Sequence, residues 1–473
     1  MIVCLGAAAS IAILILSLLD MGVAITARPV MIALAVDVAL VVVPLCLLGS
    51  GKGDYSVFVR VGCIALASMM LFLNLIVSTM VGETSDFIIA HTGITSQGAI
   101  EYSVVAQRKA GIELSPQNSV RAGIWNADAS KRDAARETQK LADATFTEYD
   151  NIEVLIEATE DDDLDIAIVQ TALLNPYSEY FPESYDNLEV LTTFRAGSNT
   201  SGNPASNARV DITKPFAIYI SGIDESGPIA EVSSGRSDAN MIVLIDPEHY
   251  KVMLVNTPRD YYVQLHGTTG NKDKLTHAGV YGIDMSKKTL EDLYGIPIDY
   301  VVRANFDTLF YLVDAMGGII VDNPTSFSIW GTYFEEGKIW MSGHHALLYA
   351  RARKGSGLEG GDMDRGENQQ RVVEAIIDRL TSPSVVIHYL DILKAISGTF
   401  ETNIPKDVIM QLFNRQITLG GSWDIEKRSA TGTFAQRPTY SMGAQELSVI
   451  IPDEVALDEL RSEMREFMLG RSD

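Results

Sequence analysis

Three long apolar stretches near the N-terminus limit what this chain can become. Residues 2–19 (IVCLGAAASIAILILSLL) carry no charge, residues 29–49 (PVMIALAVDVALVVVPLCLLG) carry only Asp37, and residues 61–82 (VGCIALASMMLFLNLIVSTMVG) again carry none. About 20 apolar residues take a helix across the hydrocarbon of a bilayer. No small-residue cleavage pattern precedes residue 29, so a removed leader peptide accounts for the first run poorly. Three transmembrane helices are therefore expected within residues 1–85. Lys52 and Arg60 lie in the second loop against Arg28 alone in the first. That asymmetry places the second loop and the N-terminus in the cytoplasm and residues 83–473 outside, as a multi-pass protein of the cell membrane.

Charge excludes one class of function. The whole chain of 473 residues has a formal net charge of −24 and a sequence pI near 4.7. Nucleic-acid binding is disfavoured, because phosphate backbones are held by counterion release onto basic surfaces. Cys4, Cys46 and Cys63 all sit in the apolar runs. The large C-terminal part therefore has no disulfide, no thiol nucleophile and no cysteine-ligated metal.

Two units are expected beyond the membrane. Residues 95–205 read as a small α/β accessory domain and linker, with a helix over 128–146, a strand over 151–158 and a buried strand over 165–174. Its "EDDD" at 160–163 reads as a solvated turn, since no ligand-spaced partners come after it. Residues 195–209 are a linker by composition. Residues 206–473 alternate strand and helix, the pattern of an α/β sheet with helices on its faces. Strands are expected at 215–224, 239–246 and 250–260, the last two joined as an antiparallel hairpin centred near residue 248. Such a hairpin brings Asp238, just before one strand, and Arg259, just after the other, to the same open end, with Arg236 close by. The apolar stripe Leu309, Phe310, Leu312, Val313 and Met316 reads as core packing first and as a lipid pocket second. Adjacent His344 and His345 point to different faces of a helix and lack a third ligand, so they read as ordinary histidines.

The acidic chain nevertheless gathers Arg351, Arg353, Lys354, Arg365 and Arg371 within "RARKGSGLEGGDMDRGENQQR" (351–371), with Asp362 and Asp364 between them. Residues 364–380 read as a helix whose buried stripe is Val372, Val373, Ile376, Ile377 and Leu380 and whose first turns carry Arg365 and Gln369. Guanidinium groups suit phosphate because the planar fork donates two parallel hydrogen bonds and keeps its charge. Carboxylates suit a hard divalent cation bridging the same oxygens. Taken alone, the stretch fits a metal-assisted pyrophosphate site and a surface ion-pair network equally well. The hairpin end at Arg236, Asp238 and Arg259 favours the ligand.

Seven segments, "SGIDESGP", "GRSDANM", "NTPRDYYV", "DKLTHAGVYG", "YVVRANFDTLFYLVDAMGGIIVDNP", "SGHHALLYARAR" and "GDMDRGENQQRVVEAIIDRL", occur in this order over roughly 215–383. Together they closely resemble the LytR–CpsA–Psr family, in its streptococcal capsule (CpsA-type) branch, which also resembles this chain in its three spans and accessory domain. The resemblance implies an α/β/α sandwich enclosing a tunnel for a lipid tail. It implies an enzyme that moves a glycopolymer from a polyprenyl-pyrophosphate carrier to peptidoglycan, releases polyprenyl phosphate and uses Mg²⁺. By motif position, Asp224 and Asp238 would be the magnesium carboxylates. Arg236, Arg259, Arg351, Arg353, Arg365 and Gln369 would hold the pyrophosphate, with Lys274 a further candidate. This chain departs from the pattern in two places. "EVSSGRSD" has two extra residues before its Arg-Ser-Asp, and Glu367 and Asn368 stand where many relatives carry an arginine before the paired glutamines.

Transfer of this kind needs a base for the acceptor hydroxyl, and Asp362 is assigned that part, with Asp260 and Asp364 as rivals. With water as acceptor, the same site would act as a pyrophosphatase. The alternative from another class is a membrane sensor that binds polyprenyl-linked saccharide without turnover.

Overall fold

Apolar residues run almost unbroken along the central strands of the second unit, and the alternating direction of side chains sorts them onto two buried faces of one sheet. The structure is a computed structural model. It describes residues 100–470 except 126–129, 197–210, 354–360, 383–391, 393 and most positions between 224 and 234, with a few residues of the first 99. The predicted spans at 2–19, 29–49 and 61–82 lie almost wholly outside these residues, as do Asp37, Asp224, Lys354 and most of the linker. Among the described residues, no helix is long and apolar enough to cross a membrane.

The accessory unit is a mixed sheet with helices, as expected, but three of its segments differ from the sequence reading. Its five strands are β1 (Ile100–Gln107), β2 (Ser119–Trp125), β3 (Asp143–Tyr149), β4 (Ile166–Gln170) and β5 (Leu188–Ala196), ordered β3-β2-β4-β1-β5. The predicted helix over 128–146 is shorter: α1 covers Lys131–Leu141, and the β-branched and aromatic "DATFTEY" after it pairs in parallel with β2. The segment predicted as a strand over 151–158 is helix α2 (Ile152–Glu160). Asn151 caps it by accepting the Val154 N–H at 3.0 Å, and Ile152, Leu155, Ile156 and Thr159 share its buried face. A short apolar run fits either period, and here the cap decides. The strand predicted over 165–174 ends at Gln170, where α3 (Thr171–Tyr180) begins.

In the second unit, β6 (Phe216–Ile223), β7 (Ser237–Asp246) and β8 (Lys251–Thr257) form an antiparallel meander. Helix α4 (Ile283–Tyr294) leads to β9 (Tyr300–Asn305), parallel to β6, which runs into α5 (Phe306–Ala315). Two small antiparallel pairs come next. The outer pair is β10 (Ile319–Asn323) with β13 (Gly337–Met341), and within it lies the hairpin β11 (Phe327–Ile329) and β12 (Thr332–Phe334). Beyond them lie α6 (Gly343–Arg351), α7 (Asp362–Leu380), β14 (Phe400–Thr402), α8 (Lys406–Leu419), β15 (Asp424–Ser429) and, near the end, α9 (Glu454–Met468). The main sheet runs β14-β9-β6-β7-β8-β15.

Successive side chains of a strand face opposite ways. Tyr219, Ile242, Leu244 and Val255 therefore pack against α4 and α9 through Leu290, Tyr294, Leu460 and Met464. Their neighbours Phe216, Ile218, Val243 and Leu254 face α7 and α8 through Val373, Ile377, Val408 and Leu412. This is the expected α/β/α layering. Val313 of α5 and Met316 just past its end are fully buried with Ala346 and Tyr349 of α6 and are core packing, while Leu309 and Leu312 pack half-buried against the same cluster and Phe310 is also half-buried. Leu380, predicted in the buried stripe of α7, is exposed, because the packed face ends a turn earlier at Ile376 and Ile377.

The two units share a core. Trp125 of β2 lies 5.2 Å from the ring of Tyr281 and 5.5 Å from that of Tyr440, in one cluster with Leu155, Val280 and Met442.

Helix α6 crosses α5 at Gly343, where an added Cβ would stand 2.1 Å from the Phe310 carbonyl oxygen. Backbone cannot yield as a side-chain tip can, so Gly343→Ala must push α6 away from α5. The expected loss is about 1–3 kcal/mol, as for other overpacked sites, read as a lower denaturant midpoint. An unchanged midpoint would show that this close approach is dispensable.

Candidate active site

The open end of the β7–β8 hairpin is held by buried polar groups. Tyr219 donates its hydroxyl proton to Asn240 Oδ1 at 2.6 Å, and the hydroxyls of Tyr219 and Ser221 lie 3.0 and 2.8 Å from that of Ser237. Asn240 Nδ2 donates to the Ser237 carbonyl at 3.0 Å. These bonds fix the first residues of β7, and Asp238 comes directly after Ser237.

Asp238 is buried, with both carboxylate oxygens 3.0 Å from Arg259 Nη1. Thr276 completes its surroundings by donating to Oδ1 at 3.3 Å. Arg259 also faces two further acids, with Nε 3.8 Å from Asp260 and 3.9 Å from Asp362. Lys274 Nζ lies 3.2 Å from Asp260, and Arg365 forms an ion pair with Asp362. Charges of alternating sign are thus linked from β7 through the end of β8 to the first turn of α7.

Burial works to lower the Arg259 pKa, but the fields of Asp238, Asp260 and Asp362 outweigh it and carry the pKa up. Burial pulls Arg365 down despite Asp362 beside it, although a guanidinium remains charged. Burial likewise pushes Asp362 above the usual carboxylate range, opposed by Arg365 and reinforced by Asp260. Arg259 Nε is buried and finds no hydrogen-bond partner within the protein. An unsatisfied buried donor is costly, and it marks a place where an oxygen acceptor would be favoured.

Beside this cluster lies a cavity of about 310 Å³. Asp238, Arg351, Arg353, Arg365 and Gln369 give it polar lining, and Phe306, Ile329 and Trp330 give it apolar lining. Three arginines against one aspartate make it a site for an anion of more than one charge. Arg351 is held by the Phe306 ring, its guanidinium carbon 4.6 Å from the centroid. Helix α7 starts after Gly361, in left-handed backbone at φ 62°, with no side chain capping its first N–H groups. Those groups add a positive end to the same region.

Most of the predicted site residues converge here. Asp238, Arg259, Asp362 and Arg365 form the linked cluster, and Arg351, Arg353 and Gln369 reach the cavity. Arg351 is the last residue of α6 and Ala352 turns extended, and both Arg351 and Arg353 line the cavity. Lys274 stands behind it, against Asp260 and 3.5 Å from Tyr180 Oη of the accessory unit. Arg236 is half-buried just before β7, and Asp364 is half-buried in the first turn of α7. Asp224 lies outside the described residues. Arg371, part of the same basic stretch, binds Glu367 and Asn368 at 2.8 and 2.9 Å on its own helix and does not line the cavity.

The sequence reading missed Thr276, Phe306 and Trp330. Thr276 stands within "DKLTHAG" but, uncharged, gives no signal of a phosphate site. Phe306 opens α5 directly after β9, and Trp330 precedes a glycine between two short strands, which is a turn signal.

As a test of Mg²⁺, the donor chemistry fits in part. Asp238 offers hard carboxylate oxygens at the cavity wall, and no group of three or more acids, histidines or cysteines poised for a metal occurs among the described residues.

Residues 189–466 match the LytR_cpsA_psr family, so more than half of the chain is covered and the protein belongs to that family. Its relatives include a Bacillus mycoides protein named polyisoprenyl-teichoic acid–peptidoglycan teichoic acid transferase TagU. The two are 34% identical over 241 residues, covering 51% of this chain and 75% of the relative. A protein of the same name from Enterococcus faecalis is 32% identical over 263 residues, covering 55% and 82%. Among solved structures, TagV of B. subtilis is 32% identical and covers 55% of this chain and 99% of its own, with a TM-score of 0.46.

Removing one member of the Asp238–Arg259 pair strands the other. Arg259→Ala is expected to cost about 3–5 kcal/mol, the usual loss when a buried pair is broken. Arg259→Gln combined with Asp238→Asn should recover part of it in denaturant unfolding. A double-variant loss equal to the sum of the Arg259→Gln and Asp238→Asn losses would mean the pair is not coupled.

Proposed function

We propose that this protein is a membrane-anchored phosphotransferase, with its catalytic domain outside the cell. In this reading it moves a glycopolymer, a capsular polysaccharide or a teichoic-acid-like chain, from a polyprenyl-pyrophosphate carrier to a hydroxyl of peptidoglycan. The observation that carries it is the cavity where Arg351, Arg353 and Arg365 meet Asp238 and Gln369 beside the Arg259 cluster. Family membership and the transferase names of the TagU relatives support the same class of reaction. The three apolar N-terminal runs support the anchor. For the lipid tail, the support is that Ile220, Val302, Val373 and Ile377 stay half-buried between the sheet and α7, where packed layers would ordinarily close over them.

In the proposed reaction the acceptor oxygen attacks the phosphorus that bears the glycopolymer, and the bond from that phosphorus to the bridging oxygen breaks. Polyprenyl phosphate leaves, and a phosphodiester joins polymer to acceptor. Arg351, Arg353 and Arg365 hold the non-bridging oxygens and offset charge growing on the leaving phosphate. Arg259 holds Asp238 in place, and its Nε faces Asp260 and Asp362. Asp362 takes the acceptor proton, helped by the burial that raises its pKa. Mg²⁺, held by Asp238 and Asp224, would neutralise phosphate charge when bound.

The purified full chain is expected to release lipid phosphate from a polyprenyl-pyrophosphate saccharide with Mg²⁺ and peptidoglycan fragments, and Arg259→Ala should release at least about 100-fold less, the scale of losing a charge-stabilising donor. Binding by both proteins with release by neither would favour a sensor without turnover. Because the Asp362 pKa is raised, release should fall on acidification at a pH above the ordinary carboxylate range. Asp362→Asn should be slow and flat across that range. An unchanged acid limb in the variant would remove Asp362 as the base.

A further inference from the structure

The turn between β11 and β12 is made of two residues, Trp330 and Gly331, closing the pair Ile329↔Thr332. Both have left-handed backbone, with φ of 48° and 81°. Two-residue turns of this kind favour Asn-Gly or Gly-Gly, because at positive φ a Cβ crowds the backbone carbonyl and a bulky side chain tolerates this poorly. A tryptophan here is a strained choice, and it is not there to fill the core, since Trp330 is 65% exposed. Strain of this sort persists where the residue has work to do.

The hairpin behind it is anchored firmly. Phe327 and Phe334 are buried, and their rings lie 5.4 and 5.3 Å from that of Tyr349 on α6. Tyr349 is two residues before Arg351, so the position of the indole is tied to the helix that carries the cavity arginines. Trp330 itself lines the cavity with Asp238, Arg353 and Arg365.

We propose that Trp330 is the stacking platform for the sugar ring attached to the pyrophosphate and so a specificity-determining residue for the saccharide. The inference rests on the pyrophosphate reading of the cavity. A pyranose has apolar C–H faces and a hydroxyl edge, which suits an exposed indole beside charged donors. A prenyl chain would gain more from enclosed apolar surface, and an indole this exposed offers little enclosure.

Binding of two probes to the full chain tests this: a polyprenyl pyrophosphate bearing a disaccharide, and the same lipid without sugar. Trp330→Gly should weaken the saccharide lipid on the order of tenfold, leave the bare lipid unchanged, and raise the melting temperature by relieving the turn. Trp330→Phe should keep most of the affinity. Tyr333→Ala, on the same hairpin and equally exposed but not at the cavity, should change neither. Equal weakening of both lipids, or of neither, by Trp330→Gly would overturn the sugar platform while leaving the pyrophosphate site intact. Failure of the unmodified protein to bind either lipid would overturn that site, and the platform with it.

Discussion

The contact between Arg259 and Asp238 is the interaction on which the site depends. It joins the second residue of β7 to one just past the end of β8, across the mouth of a hairpin whose register runs without a shift from Asp246↔Lys251 to Asn240↔Thr257. Because Arg259 also faces Asp260 and Asp362, it links the sheet to the first turn of α7. The helix brings Arg365 with it, and α6 brings Arg351. A buried cation among three acids is stable here because each neighbour is charged, and the same concentration of charge makes the place receptive to an anion.

Around that contact the fold separates two tasks. The main sheet and its two helical layers hold the charged end, and α5 with the hairpin β11–β12 brings Phe306, Ile329 and Trp330 to the same cavity. The accessory unit is not a loose appendage, since Trp125 packs between Tyr281 and Tyr440. Tyr180 also comes near Lys274, itself paired with Asp260. Changes in the accessory unit therefore have a short physical route to the charged cluster.

Much of this was legible in the sequence. Hairpin spacing alone put Asp238 with Arg259, because antiparallel pairing converts equal distances from a turn into proximity. The helix bearing Arg365 and Gln369 was evident from its apolar period. Where the reading failed, the reasons are local. "NIEVLIEA" fits both periods, and only the Asn151 cap makes it a helix. "DATF", the start of β3, was absorbed into a preceding helix because nothing but its β-branched and aromatic residues marks the boundary at Ala142. Arg371 belonged to the basic cluster in sequence yet turns to Glu367 and Asn368, since i−4 and i−3 neighbours on a helix are nearer than the cavity. Phe306 and Trp330 were missed because neither carries charge, and the reading searched for phosphate chemistry.

The central claim is transfer of a phosphoryl group, with the phosphate staying on the polymer. The most direct measurement is the identity of the lipid product when the full chain, Mg²⁺, a polyprenyl-pyrophosphate saccharide and peptidoglycan fragments are combined, read by ³¹P NMR and mass spectrometry. The account predicts polyprenyl monophosphate, together with a phosphodiester between saccharide and acceptor. Release of intact polyprenyl pyrophosphate, with the saccharide joined through its anomeric carbon and no phosphate in the linkage, would contradict it.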